Sequence, residues 1–135
     1  MKKEHLEILD LLKDYLENHP DQRFGQALFN LRINEFKKSS DPLNPIYELR
    51  DIHGDNDKDI VERIKAQLEW FDLQRQVNEG KSKVTDIGGM TVNERLYATG
   101  LIDTFDKMKT SNKDYARYIL ESLHVDNASI DKILN

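Results

Sequence analysis

The chain has 135 residues, with 25 acidic and 20 basic side chains, a formal net charge of −5 and no cysteine. Zero cysteine excludes disulfides, thiolate metal sites and cysteine nucleophiles, and the acidic balance argues against nucleic-acid binding, which needs a basic surplus to neutralise phosphates. No run approaches the roughly 18 apolar residues that span a bilayer, and the charged start Met1-Lys2-Lys3-Glu4-His5 leads into an amphipathic stretch, so a cytoplasmic protein without membrane contact is expected.

The periodicity is helical nearly throughout. Leu6, Leu9, Leu12 and Leu16 recur at helical spacing, with Ile8, Leu11 and Tyr15 widening the stripe. Asn18-His19-Pro20 should stop this first helix, because proline disfavours the helical conformation of the residue before it. Asp21 reads as the N-cap of a second helix reaching about Lys38, with Phe24, Ala27, Leu28 and Leu31 on one side and Phe29, Ile33 and Phe36 beside them. Gly25 inside that helix costs roughly 1 kcal/mol relative to alanine. A close helix crossing there would justify the cost.

Residues 39–45, containing Asp41-Pro42 and Asn44-Pro45, read as a loop. Ile46 to Arg50 fits one turn of helix or a short extended piece. An aspartate between Asp51 and Asp59 should then cap a long third helix carrying Ile60, Val61, Ile64, Leu68 and Phe71, with Leu73 and Val77 further along. Residues 79–90 hold three glycines and lack periodicity, which suggests a linker. Residues 1–80 carry 12 basic and 17 acidic side chains and residues 81–135 carry 8 of each, so the acidity lies before the linker.

Thr91-Val92-Asn93-Glu94 fits a capping box opening a helix that buries Tyr97, Ala98, Leu101, Ile102, Phe105 and Met108, with Gly100 at a close crossing. Ser111-Asn112 begins the next helix, with Tyr115, Ala116, Ile119, Leu120 and Leu123 inward. A last short helix presents Ile130, Ile133 and Leu134. The expected fold is all-α: a small bundle of five or six helices in two parts, 1–78 and 91–135, joined by 79–90. About 45 residues form a marginal unit alone, so the second part should pack on the first or on another chain.

Two segments carry a resemblance. Pro20-Asp21-Gln22-Arg23-Phe24-Gly25-Gln26-Ala27-Leu28-Phe29-Asn30-Leu31 resembles the core of small bacterial proteins with an R-F-G-Q-x-L-x-N-L pattern. Met90-Thr91-Val92-Asn93-Glu94-Arg95-Leu96-Tyr97, followed by Gly100-Leu101-Ile102-Asp103 and Phe105-Asp106, is similar to another group of short bacterial proteins. The resemblance implies a bacterial origin and a helical fold, and it supplies no catalytic residues.

Several constellations invite chemistry. Asp55, Asp57 and Asp59 match the first three ligands of a calcium loop, but Ile60 stands where the turn needs glycine and Ala66 where a bidentate glutamate belongs. Carboxylates placed before a helix N-terminus explain the cluster without an ion. His53, close to Asp51, Asp55 and Asp57, is the one histidine with neighbouring carboxylates, and a solvated loop histidine is the simpler reading. Arg23 and Arg95 sit in first turns, where the helix dipole does not favour them. Each could pair with a carboxylate or phosphate of a partner, or close the fold internally, Arg23 with an acid of the first helix for example. Trp70 adjoins Phe71, about 100° around the helix, so it flanks the core or anchors a partner. Tyr47, Trp70 and Tyr118 are the candidate exposed aromatics. No phosphate-binding glycine loop and no nucleophile elbow occurs.

No catalytic residue, cofactor or metal is therefore expected. The pattern points to a non-enzymatic protein-binding module, in its most concrete form an immunity or antitoxin-like inhibitor covering a basic surface. Asp51, His53, Asp55, Asp57 and Asp59, with Arg23 and Trp70, are its candidate contacts. A homo-oligomeric scaffold or adaptor is the alternative, and an enzyme centred on His53 the third reading.

Overall fold

The computed structural model describes all 135 residues and is all-helical, with seven helices where five or six were expected. They are α1 (Lys3–Asn18), α2 (Phe24–Asn30), α3 (Asp57–Ser82), α4 (Val92–Ala98), α5 (Ile102–Ser111), α6 (Lys113–Ser122) and α7 (Asn127–Leu134). The chain divides into two compact units, Met1–Trp70 and Phe71–Asn135. The division falls inside α3, whose first part belongs to unit 1 and whose second part belongs to unit 2.

In unit 1, α1 ends at Asn18, before Pro20. Tyr15, its buried residue, donates from its hydroxyl to Gln22 Oε1 at 2.8 Å. Asn30 Nδ2 donates to that hydroxyl (3.2 Å) and to Gln22 Oε1 (3.0 Å), so three polar side chains satisfy one another beside buried Ala27 and Leu31. The His19 ring stacks on Tyr15 with centroids 4.2 Å apart, and its Nδ1 donates to the Tyr15 carbonyl. These bonds clamp the end of α1 onto Gln22 and the last residue of α2.

Helix α2 is much shorter than the stripe of apolar residues predicts. Its N-cap is Arg23 rather than Asp21, and Gln26 Oε1 accepts from the Arg23 amide at 3.0 Å. It stops at Asn30 because Arg32 adopts a left-handed φ of 61°, and the Arg32 and Ile33 carbonyls accept from the Arg63 guanidinium at 2.8 and 3.1 Å. A side chain thirty residues away thus takes carbonyls that a continuing helix would have used. A methyl group at Gly25 would meet nothing within 4 Å, so no close crossing accounts for that glycine.

Residues 35–37 then pair antiparallel with 48–50: the Lys37 amide donates to the Glu48 carbonyl (2.8 Å) and the Arg50 amide to the Glu35 carbonyl (2.9 Å). Ile46 to Arg50 is therefore the extended alternative. Asn56, not an aspartate, caps α3, its Oδ1 accepting from the Lys58 amide at 3.0 Å.

Unit 2 begins with the second part of α3, which runs through residues 79–82, inside the stretch expected to be a linker. Gly80 there lies against the Thr99 backbone: an added Cβ would stand 2.6 Å from the Thr99 carbonyl oxygen. Thr104 Oγ1 donates to Gln76 Oε1 at 3.0 Å, fixing the same stretch of α3 to α5. The helix expected from Thr91 onward is broken into α4 and α5 by Gly100, whose φ of 72° makes it the left-handed residue that ends α4. The Gly100 and Leu101 amides return to the Tyr97 and Leu96 carbonyls at 3.1 and 2.9 Å. The break turns Tyr97 and Ala98 outward, Tyr97 to 77% exposure, and buries Leu96 instead, while Leu101, Phe105 and Met108 are buried as expected.

Thr91 caps α4 by accepting from the Glu94 amide, and its hydroxyl donates to the Glu94 carboxylate. Asn112 and Asp126 cap α6 and α7 in the same way. The inward residues of α6, Ala116, Ile119 and Leu120, are buried as the period predicts, as are Leu123, Ile130 and Leu134. No helix is long and apolar enough to cross a membrane.

Candidate functional site

The aspartates that read as one patch in the sequence divide by partner in the structure. Asp55 turns inward. Both of its oxygens accept from the Arg50 fork at 2.8 and 2.6 Å, and Oδ2 also accepts from Arg63 Nη1 at 2.9 Å. The hydrogen bonds from Arg50, then Arg63, hold its carboxyl far below the usual carboxylate range. Glu35 joins the network through Arg50 Nε at 2.9 Å and Arg32 at 3.3 Å. Burial works to raise the Glu35 pKa, but the Arg63 charge and hydrogen bonds from Arg50 and Arg32 outweigh it and lower the value. Three arginines and two carboxylates thus tie the 35–37/48–50 pairing, the turn after α2 and the start of α3 into one network.

The other aspartates differ. Asp57 accepts from His5 Nε2 at 2.9 Å and lies 3.7 Å from Lys2, which pins α1 to the start of α3. Asp51 Oδ1 accepts from the His53 backbone amide at 2.9 Å, an Asx-type turn that leaves both residues exposed. Asp59 is exposed in the first turn of α3 and forms no ion pair. No three His, Asp or Glu side chains are grouped to hold a metal ion.

The arginines singled out by position also separate. Arg23 is exposed and forms no ion pair, with an acid of α1 or otherwise. Arg95 donates to four backbone carbonyls: Met90 (3.1 Å), Leu123 (2.9 Å), His124 (3.1 Å) and Gly88 (3.4 Å). Two of these are orphan carbonyls at the C-terminal end of α6, where His124 has a φ of 61°, so Arg95 closes the fold of unit 2 without any carboxylate. Trp70 and Tyr118 are half-buried, and Tyr47 is 77% exposed.

Of the apolar surface beside the arginine network, the sequence pattern singled out Tyr47 alone. Phe36, Leu43, Ile46, Tyr47 and Leu49, all within fourteen residues, are exposed by 40–89%. Phe36 sits opposite Leu49 in the antiparallel pairing, 5.1 Å from the Phe29 ring and edge-on to Tyr47 at 6.0 Å. Asp41 organises the connecting loop: it accepts from the Leu43 amide (2.9 Å) and Asn44 Nδ2 (2.7 Å), while Ser39 Oγ donates to the Asn44 carbonyl (2.8 Å). The hydrogen bonds from Asn44 and Leu43 lower the Asp41 pKa. Leu43 therefore stands at the tip of an ordered turn. The missed signal was the alternation of large apolar residues at 47 and 49 next to Pro45, which reads as a strand edge once the helical alternative is set aside.

No family model, curated protein or solved structure matches this chain.

Proposed function

We propose that the protein acts by binding another protein, without chemistry of its own, and that residues 36–49 make the contact. One observation carries this reading: five large apolar side chains stand exposed on one segment of fourteen residues that ion pairs and turn hydrogen bonds hold in place. Phe36 adjoins both Leu49 and Tyr47, and exposed apolar side chains that adjoin one another mark interaction surfaces; a pre-ordered loop loses little entropy on docking. Tyr47 is the natural anchor, since tyrosine supplies a large apolar contact and a polar tip.

The partner that fits has an apolar groove with basic side chains around it. Unit 1 carries 11 basic and 15 acidic side chains, and Asp51 and Asp59 are exposed carboxylates without a cationic partner. An immunity or antitoxin-like inhibitor lying over a basic cleft is the most specific form of this reading. Asp55 is no longer among its contacts, because Arg50 and Arg63 occupy it.

The test is capture from a native extract at low salt, with the whole chain and with Tyr47→Ser/Leu49→Ser as bait. A stoichiometric partner held by the first and lost by the second, at unchanged circular dichroism, is expected. No stoichiometric partner, or equal retention by both baits, overturns the reading. A second reading, a self-associating scaffold, is favoured by Leu6 and Leu9 of α1, each about half exposed. Light scattering separates the two, since a strict monomer excludes the scaffold.

A further inference from the structure

Helix α1 has two apolar faces. Tyr15 is its buried residue and meets α2 at Asn30, whereas Leu6, nine residues earlier and so on the opposite side of the helix, is 52% exposed and Leu9 50%. Leu6, Leu9, Lys13 and Leu16 recur at spacings of three, four and three, the rhythm of a coiled-coil seam. Leu9, Leu12 and Leu16 form a shallow groove of about 370 Å³ edged by Lys13 and Glu17, and every residue lining it belongs to α1.

The charges beside this strip select its occupant. Lys3 stands at the start of α1, and Asp10, Asp14 and Glu17 follow on the same flank. Lys3, Asp10 and Asp14 are exposed and form no ion pair, and Glu17 has only Lys13 of its own helix, at 3.8 Å. The last turn of α1 holds no basic residue, so its acids face the negative end of the helix dipole uncompensated.

We infer that this strip pairs with the same strip of a second copy, the two α1 helices lying antiparallel about a twofold axis near Asp10. The pairing sets Leu6 of each copy by Leu16 of the other, brings Lys3 of each to Glu17 of the other, and lays the positive start of each helix beside the other's acids. A parallel pair brings neither Lys3 nor a helix start to those acids. Asp10 meets its own copy at the axis and opposes the pairing. A helix of 16 residues spans only about 24 Å, so the dimer should be weak, with a dissociation constant of about 10–100 µM. The pairing rests on the self-association read above from Leu6 and Leu9. It uses none of residues 36–49, so each copy keeps the contact proposed there.

Sedimentation equilibrium of the whole chain from about 5 to 500 µM should follow a monomer–dimer equilibrium. Leu6→Glu/Leu9→Glu should weaken it about tenfold or more, and Lys3→Glu about threefold at low salt, both at unchanged circular dichroism. Tyr97→Ser, which removes an exposed aromatic of unit 2, should leave it within about twofold. Because the chain has no cysteine, introduced ones report the orientation: mixed Leu6→Cys and Leu16→Cys proteins should oxidise to the mixed disulfide much faster than either alone forms a dimer. A strict monomer overturns the inference together with self-association. A dimer indifferent to the leucine pair or to Lys3→Glu, or single-cysteine proteins that link to themselves as fast as to each other, overturns the antiparallel pairing of α1 and leaves self-association standing.

Discussion

Asp55 and Arg63 show how one contact decides the use of a whole segment. With Arg50 and Arg63 bound to it, Asp55 has a native pKa well below its unfolded value of about 3.9. A depressed carboxylate contributes fully above the unfolded pKa and loses its contribution as the pH falls below it. The urea midpoint of the whole chain should therefore hold from neutrality down to about pH 5 and decline below. Glu35, Asp41, Asp72 and Asp126 are also lowered, so the diagnostic is the difference between proteins. Asp55→Asn should be less stable at pH 7 and show a shallower acid decline; parallel profiles would remove Asp55 from the account. Arg63→Met keeps the aliphatic stem but strands the Arg32 and Ile33 carbonyls and one side of Asp55. It should cost about 2–3 kcal/mol in urea denaturation, the range for breaking charged hydrogen bonds in a half-dry site.

At the scale of the element, two glycines that look alike in sequence do opposite things. Gly25 sits in open space on α2, so Gly25→Ala should stabilise by about 0.4–1 kcal/mol through the unfolded chain and helix propensity. Gly80 faces the Thr99 carbonyl oxygen at 2.6 Å from where a Cβ would stand, so Gly80→Ala should destabilise by about 1–3 kcal/mol as the helix is pushed off its neighbour. Paired thermal melts check both signs at once. The contrast marks where sequence reasoning succeeds. The end of α1 and the inward faces of α6 and α7 follow from local periodicity, proline and caps, and they stand where expected. The end of α2 does not, because Arg63 takes the Arg32 and Ile33 carbonyls just beyond it from thirty residues away and no local pattern encodes that. The break at Gly100 was legible in principle, as a glycine three residues after an aromatic within a helical run, but a close crossing explains such a glycine equally well until Tyr97 is seen outside. Of the candidate residues, Asp55 proved to hold the scaffold, because its arginine partners lie five and eight residues away and no local pattern pairs them, and of the apolar loop beside it only Tyr47 was legible as an exposed aromatic.

At the scale of the whole molecule, charge and apolar exposure fall in the same unit. Of the net −5, unit 1 carries −4 and unit 2 carries −1, and of the ten most exposed large apolar side chains only Tyr97 lies in unit 2. The two features should act on different steps of association. Exposed carboxylates steer encounter with a basic partner and are screened by salt, whereas apolar anchors act after contact by slowing escape. With the captured partner immobilised, Asp51→Asn/Asp59→Asn should lower the association rate severalfold at about 20 mM salt and lose that effect near 0.5 M, with dissociation within twofold of the parent. Tyr47→Ser should leave association within about twofold and raise dissociation by one to two orders of magnitude, the usual consequence of removing a buried aromatic anchor. Surface plasmon resonance across a salt series separates the two rates. If the aspartate variant instead changed dissociation and ignored salt, those carboxylates would lie inside the contact, and the contact would be centred on the start of α3 rather than on residues 36–49.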